Sequence, residues 1–346
     1  MKNRSFHYTI AAGMFLFLLA ACSTPTIEDP VVGAAQLTAP EADTQKLRKL
    51  SFLPYWVENA QFAGYYVAKE KGIYRKYGLD VEIIPFDPYR TSDQLIRNGE
   101  ADFAAIWLVN AIEAKAAGTD IVNIAQLSTR SSLMLISKKS SGIDSLQDMN
   151  HKKAGIWKGF ELPPTTLFKK YGLDVEIITI GSTNNLFLND GVDITNASWF
   201  DEYHSIINAG FNTDELNTFF FADYGLNFLE DGIYCLSKLR KNEPSLCTAF
   251  VKATAEGWDR VFHNPEESLD LVMEYVQRAN LPVDRTHQRW MLNRYRDLYY
   301  SKGHITTYLK EADYLFAAEV LKEHDLIREI PAFHDFYLPY DSAISR

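Results

Sequence analysis

Between residues 62 and 77 the apolar positions Phe62, Tyr65, Tyr66 and Ile73 recur at helical spacing, and this predicts a helix over 62–77. After Gly78 the pattern changes to the alternation of a strand, Leu79-Asp80-Val81-Glu82-Ile83-Ile84, with the glycine as helix cap. The same nine residues, Lys76-Tyr-Gly-Leu-Asp-Val-Glu-Ile-Ile84, return unchanged as Lys170 to Ile178, behind a shorter predicted helix from Pro164 to Tyr171. The elements downstream of each copy are doubled too. After the first copy come a predicted helix over 92–98, Gly99, and an apolar strand over 101–106 that begins Ala101-Asp102-Phe103. After the second come a predicted helix over 183–189, Gly191, and the strand start Val192-Asp193-Ile194. Strands alternating with helices imply parallel sheets, and two copies imply two similar α/β lobes.

The remainder reads as mostly helical. Helices are predicted over 244–263, 265–279, 283–299 and 307–324, the second opened by Asn264-Pro265-Glu266-Glu267 with Asn as cap and Pro at the first position. A strand over 232–237 carries the chain from the second lobe back to the first, and the forward crossover is expected near 136–140. The expected division is 47–136 plus 235–346 for lobe one and 137–234 for lobe two.

The first 46 residues do not share this periodicity. Lys2 and Arg4 precede an apolar run from Ile10 to Ala21, too short to span a bilayer, so residues 1–21 read as a signal peptide. Leu19-Ala20-Ala21-Cys22 resembles the lipobox of bacterial lipoproteins, which implies acylation of Cys22, followed by a flexible tether to residue 46. The implied location is outside the cytoplasm, on a membrane.

Composition narrows the function. The net charge of −10 and the lack of a basic run in the folded part argue against nucleic acid as a partner. Cys235 and Cys247 read as two buried thiols or, alternatively, as a disulfide; no Cys/His spacing fits a metal, and no cofactor is expected. No nucleophile elbow or phosphate-cradling glycine loop occurs, so no catalytic residue is assigned.

The stretch Ala60-Gln61-Phe62-Ala63-Gly64-Tyr65-Tyr66-Val67-Ala68-Lys69-Glu70-Lys71-Gly72-Ile73-Tyr74, with Tyr77 to Val81, resembles the opening of bacterial solute-binding proteins of the thiamine-pyrimidine-precursor type. That group extends to sulfonate, taurine and nitrate binders. Glu230-Asp231-Gly232-Ile233-Tyr234 and Ala255-Glu256-Gly257-Trp258 extend the resemblance. It implies the type II periplasmic-binding fold: two α/β lobes, two crossovers and a cleft that closes on ligand. The function it implies is the substrate-binding component of an ABC importer, monomeric, delivering a heteroaromatic solute to a membrane permease. Alternatives are import of a small anion or a flavin, or a role as an extracytoplasmic sensor or enzyme.

In open α/β sheets ligands sit at the carboxyl ends of strands, which selects the candidate ligand contacts. Trp56, Asn59 and Gln61 occupy the first such loop, although Trp56 also suits a core and Asn59 a helix cap. Trp107 follows the 101–106 strand. Arg130 and Ser131 precede the next one, Arg130 fitting an anionic group or plain solvent. Trp157 and Gly159 end the first strand of lobe two. Asn196, Trp199 and Glu202 lie where a strand gives way to a helix, and Glu202 is the expected specificity carboxylate for an aminopyrimidine, or else an exposed first-turn glutamate. Asp231 at the return crossover binds ligand or clamps the hinge.

Overall fold

The computed structural model describes residues 46–341 except 91, 182 and 302, so the signal, Cys22 and all but the last residue of the tether lie outside the described residues. Ten strands form two sheets of five. The first contains β1 (Arg48–Leu53), β2 (Leu79–Ile83), β3 (Phe103–Ile106), β4 (Ile121–Gln126) and, from later in the chain, β10 (Gly232–Leu236). The second contains β5 (Leu133–Lys138), β6 (Lys153–Trp157), β7 (Glu176–Ile180), β8 (Ile194–Ser198) and β9 (Leu216–Phe220). Their orders, β2-β1-β3-β10-β4 and β7-β6-β8-β5-β9, match place for place. In each, three parallel strands are followed by one antiparallel strand, β10 or β5, that has come from the other lobe's side of the chain.

The crossovers fall earlier than expected. β5 pairs with β8 and β9 along its length, so the chain leaves sheet one at 127–132 rather than 136–140, and β10 from Gly232 onward already belongs to sheet one. Sequence could not fix this point because β5 is buried throughout and its apolar run suits either sheet.

Both copies of the repeat end a helix on a left-handed glycine, Gly78 (φ 78°) and Gly172 (φ 63°), and lead to the edge strand of their sheet. Pairing begins at Leu79 in the first copy but only at Glu176 in the second. Asp102 and Asp193 do the same work in each lobe, accepting the main-chain N–H of Ser51 and of Lys153 at 2.8 and 2.9 Å.

The helices are α1 (Ala63–Glu70), α2 (Ile73–Lys76), α3 (Ser92–Arg97), α4 (Leu108–Ala116), α5 (Leu162–Tyr171), α6 (Asn185–Leu188), α7 (Glu202–Asn208), α8 (Ser237–Asn242), α9 (Pro244–His263), α10 (Pro265–Arg278), α11 (Arg285–Tyr299), α12 (Glu311–Glu323) and α13 (Phe333–Phe336). The single helix expected over 62–77 is broken, because Gly72 takes φ 69° between α1 and α2. Asn264 makes no side-chain cap at α10; its amide donates back to the Arg260 carbonyl. Alternate residues of sheet one face two helical layers. Phe52 and Phe103 pack with α1, α9 and α11, whereas Leu53 and Ala104 pack with α4 and α12. Sheet two is covered by α5 on one face and by α6 and α7 on the other. Each fully buried large apolar side chain contributes about 1.5–3 kcal/mol. Cys235 and Cys247 are free, buried thiols in the layer shared by sheet one and α9.

Candidate functional site

The carboxyl ends of β1, β3, β6 and β8 open on one cleft of about 1000 Å³ between the lobes. Lobe one lines it with Tyr55, Trp56, Phe86 and Trp107; lobe two with Trp157, Phe160, Asn196 and Glu202. The rings form a box. Trp107 and Phe160 meet across the lobes edge to face, with centroids 5.4 Å apart, and Trp157 meets Phe160 at 6.2 Å in the same manner. Tyr55 is set against Trp107 at 6.1 Å, and Trp56, 40% exposed, leans on Phe86 at 5.4 Å. The indole N–H of Trp157 is buried and has no acceptor among the described residues. Such rings offer flat apolar faces with few polar points, the lining typical of small-molecule clefts.

Each polar side chain is held from behind. The Asn196 side-chain oxygen accepts the main-chain N–H of Trp157 at 3.0 Å, tying the ends of β6 and β8. Glu202 starts α7 and accepts both the N–H of Ser198, at 2.7 Å, and its hydroxyl through the same oxygen, Oε2. Burial, and then the charge of Asp201 beside it, pushes the Glu202 carboxyl up to about 7. Asp201 also lines the cleft and bonds His287 Nε2 of α11 at 2.9 Å. Gln61 lines the cleft and donates to the Tyr55 hydroxyl, which in turn donates to Asp231 at 2.6 Å. Gly159, at φ 90°, lets the loop after β6 turn toward the cleft, and its N–H bonds Glu161 at 2.8 Å.

Of the contacts expected from sequence, Trp56, Gln61, Trp107, Trp157, Gly159, Asn196 and Glu202 come together here. The other five do not line the cleft. Asn59 caps the turn ahead of α1, accepting the Gln61 N–H at 2.9 Å. Arg130 pairs with Asp223 at 2.7 Å and lies over Phe220. Ser131 is buried at the crossover against Glu230. Trp199 is turned away beneath Arg294, 4.5 Å from its ring, and against Phe220. Asp231 sits behind Tyr55, at φ 58°, and touches the cleft only through that hydroxyl. Phe86, Phe160 and Asp201 line the cleft without having been singled out. Phe160 closed a loop already under suspicion and Phe86 lies just past the end of β2, so strand-end position was the available signal.

The family model described as "NMT1/THI5 like" matches residues 59–268. Among relatives, a riboflavin-binding protein, RibY, of Chloroflexus aurantiacus is 27% identical over 81% of this chain and 80% of its own length. A formylaminopyrimidine-binding protein of Halalkalibacterium halodurans is 23% identical over 78% of each chain. Others, such as one of Legionella pneumophila at 26% identity over 68% of this chain and 76% of its own, are named 4-amino-5-hydroxymethyl-2-methylpyrimidine phosphate synthases. The crystal structure of the periplasmic aliphatic sulphonate-binding protein SsuA of Escherichia coli superposes with a TM-score of 0.66 at 14% identity, covering 84% of this chain and 92% of that one, and shows the periplasmic-binding-protein fold.

Proposed function

Since the chain belongs to the NMT1/THI5-like family and has the periplasmic-binding-protein fold, we propose that it is the substrate-binding component of an ABC importer and takes a flat nitrogen heterocycle between its lobes. The observation that carries this is the aromatic box of Trp56, Trp107, Trp157 and Phe160 around the buried carboxyl of Glu202. Stacking supplies affinity, and Glu202 supplies selection. An aminopyrimidine edge presents an amino donor beside a ring nitrogen. A carboxyl group near its midpoint at neutral pH meets that edge in either form, accepting from the amino group and sharing a proton with the nitrogen.

A thiamine pyrimidine precursor is the first reading. A flavin is the second, favoured by one observation: a single six-membered ring fills a small part of about 1000 Å³, whereas three fused rings with a polyol tail fill much more. The proposal includes acylation at Cys22, a permease partner and no turnover of the bound solute; relatives named as binding proteins support the last point, while the synthase names mark the alternative.

The test is calorimetric titration with 4-amino-5-hydroxymethyl-2-methylpyrimidine and with riboflavin. One of them should bind, and Glu202→Gln should weaken an aminopyrimidine by about 10- to 100-fold, the range for losing a hydrogen bond to a charged group. Unchanged affinity in the variant removes Glu202 from its role. Failure of both compounds to bind removes the heterocycle.

A further inference from the structure

We propose that the cleft rejects anions, so that its guest is an uncharged or protonated heterocycle and never the phosphate ester or sulfonate of one. This deepens the heterocycle reading and rests on it. The described residues lining the cleft include five carboxylates, Asp87, Glu113, Glu161, Asp201 and Glu202, against a single guanidinium, that of Arg90. Arg90 is already paired with acids: its Nε bonds Asp87 at 2.7 Å and its Nη1 bonds Glu100. The other candidate, Arg130, is outside the cleft and paired with Asp223.

Backbone amides give the second, independent argument. Oxyanions are commonly held by N–H groups where strands run into helices. In lobe two three such donors are occupied by the protein's own side chains. Ser198 N–H is taken by Glu202 at 2.7 Å, Gly159 N–H by Glu161 at 2.8 Å and Trp157 N–H by Asn196 at 3.0 Å. A phosphate entering at Ser198 or Gly159 would have to displace a carboxylate from its amide and then lie beside it. Two like charges a few ångströms apart in a cleft shielded by rings repel strongly. The shared fold with a sulphonate binder therefore does not extend to the guest.

The experiment is calorimetry on the full chain with matched pairs that differ by one phosphate: 4-amino-5-hydroxymethyl-2-methylpyrimidine and its phosphate, riboflavin and flavin mononucleotide. Ethanesulfonate and inorganic phosphate are titrated separately. The unphosphorylated member of the bound pair should be favoured at least 100-fold, and the two small anions should give no binding. In Glu161→Gln the preference should fall at least threefold, because one charge is removed with the shape kept. A phosphate ester bound as tightly as its alcohol, or saturable binding of either small anion, overturns the proposal. So does a preference unmoved in the variant, which would place its origin in shape. If no heterocycle binds and the small anions also fail, the heterocycle reading alone falls, and anion rejection stands.

Discussion

At the scale of single residues the most unusual group is Glu230, which the cleft does not use. Its Oε1 accepts the N–H and hydroxyl of Ser132, both at 2.9 Å, and the Ser131 hydroxyl, while its main-chain oxygen accepts from Gln126 and Ser128. It thus ties the return crossover to the outgoing one. Burial, and then the charge of Asp231, pushes its carboxyl up to about 8, far above an ordinary glutamate. The folded state keeps the proton while the unfolded chain has released it, so between about pH 4.5 and 8 this group's contribution to stability falls as pH rises. Glu230→Gln keeps an acceptor for the serines and removes the titration. Melting curves should show the variant gaining on the wild type by several degrees between pH 5 and pH 9; a constant difference across that range would mean that the group is not buried as a neutral acid. Asp231, pushed up to about 6 by burial and held by Tyr55, was visible in the sequence as a hinge or ligand residue. Glu230 was not, because an acid looks solvated until two distant crossovers close over it.

The doubled architecture was legible at the scale of elements because each repeated nonapeptide holds both a helix stop and a strand start. The register offset of β7 was not, since it depends on what β6 presents to it. The segments that carried the family resemblance turn out to be a packing joint. Gly64 of α1 and Gly257 of α9 let the two helices touch: a Cβ on Gly257 would overlap the Gly64 carbonyl oxygen and come within 2.8 Å of the Ala68 methyl, and one on Gly64 would strike the Trp258 ring. Backbone opposite backbone cannot give way cheaply. Gly257→Ala should therefore destabilise by at least about 2 kcal/mol through overpacking, outweighing the usual helix gain from Gly to Ala. Urea unfolding measures it; an unchanged or raised midpoint would show that the helices separate freely. Seven of the twelve expected contacts line the cleft because strand-end position is written in the repeat. Arg130, Ser131 and Trp199 do not, because their loops are claimed by Asp223, Glu230 and Arg294, partners far away in sequence.

Across the whole molecule the two lobes are joined by side chains as well as by the crossovers. Helix α11 packs on lobe one and reaches α7 of lobe two: Trp290 donates to the Trp199 carbonyl at 2.9 Å and stacks on His204 at 4.8 Å. His287 of α11 lies between Asp201, 2.9 Å from Nε2, and His204, 2.9 Å from Nδ1, while the Asn208 amide also reaches His204 Nδ1 at 3.2 Å. One protonation pattern satisfies every partner. His287 donates from both nitrogens as a cation, and His204 is neutral and accepts. The directions of titration agree. Burial pulls His287 down, but Asp201 outweighs it and raises the imidazole; burial, and then the His287 charge, lowers His204. Asp284 and Glu202 also face this pair and favour the His287 cation. A second proton on His204 leaves two donors nose to nose. Because His204 is lowered and His287 raised in this arrangement, the link holds in the window between the two: it is lost as pH falls below about 6.5 through the His204 range, and it weakens again as pH rises through the His287 range. Small-angle scattering on the unliganded protein should show the radius of gyration rising from pH 7.5 to pH 5 as the lobes part, with one linked proton limiting the shift in the open–closed equilibrium to at most about tenfold per pH unit. His204→Phe keeps a ring against Trp290 and has nothing to titrate, so its radius should not change over the same range. A wild-type radius that stays constant, or a variant that opens in the same way, would mean that the histidine pair does not hold the lobes together.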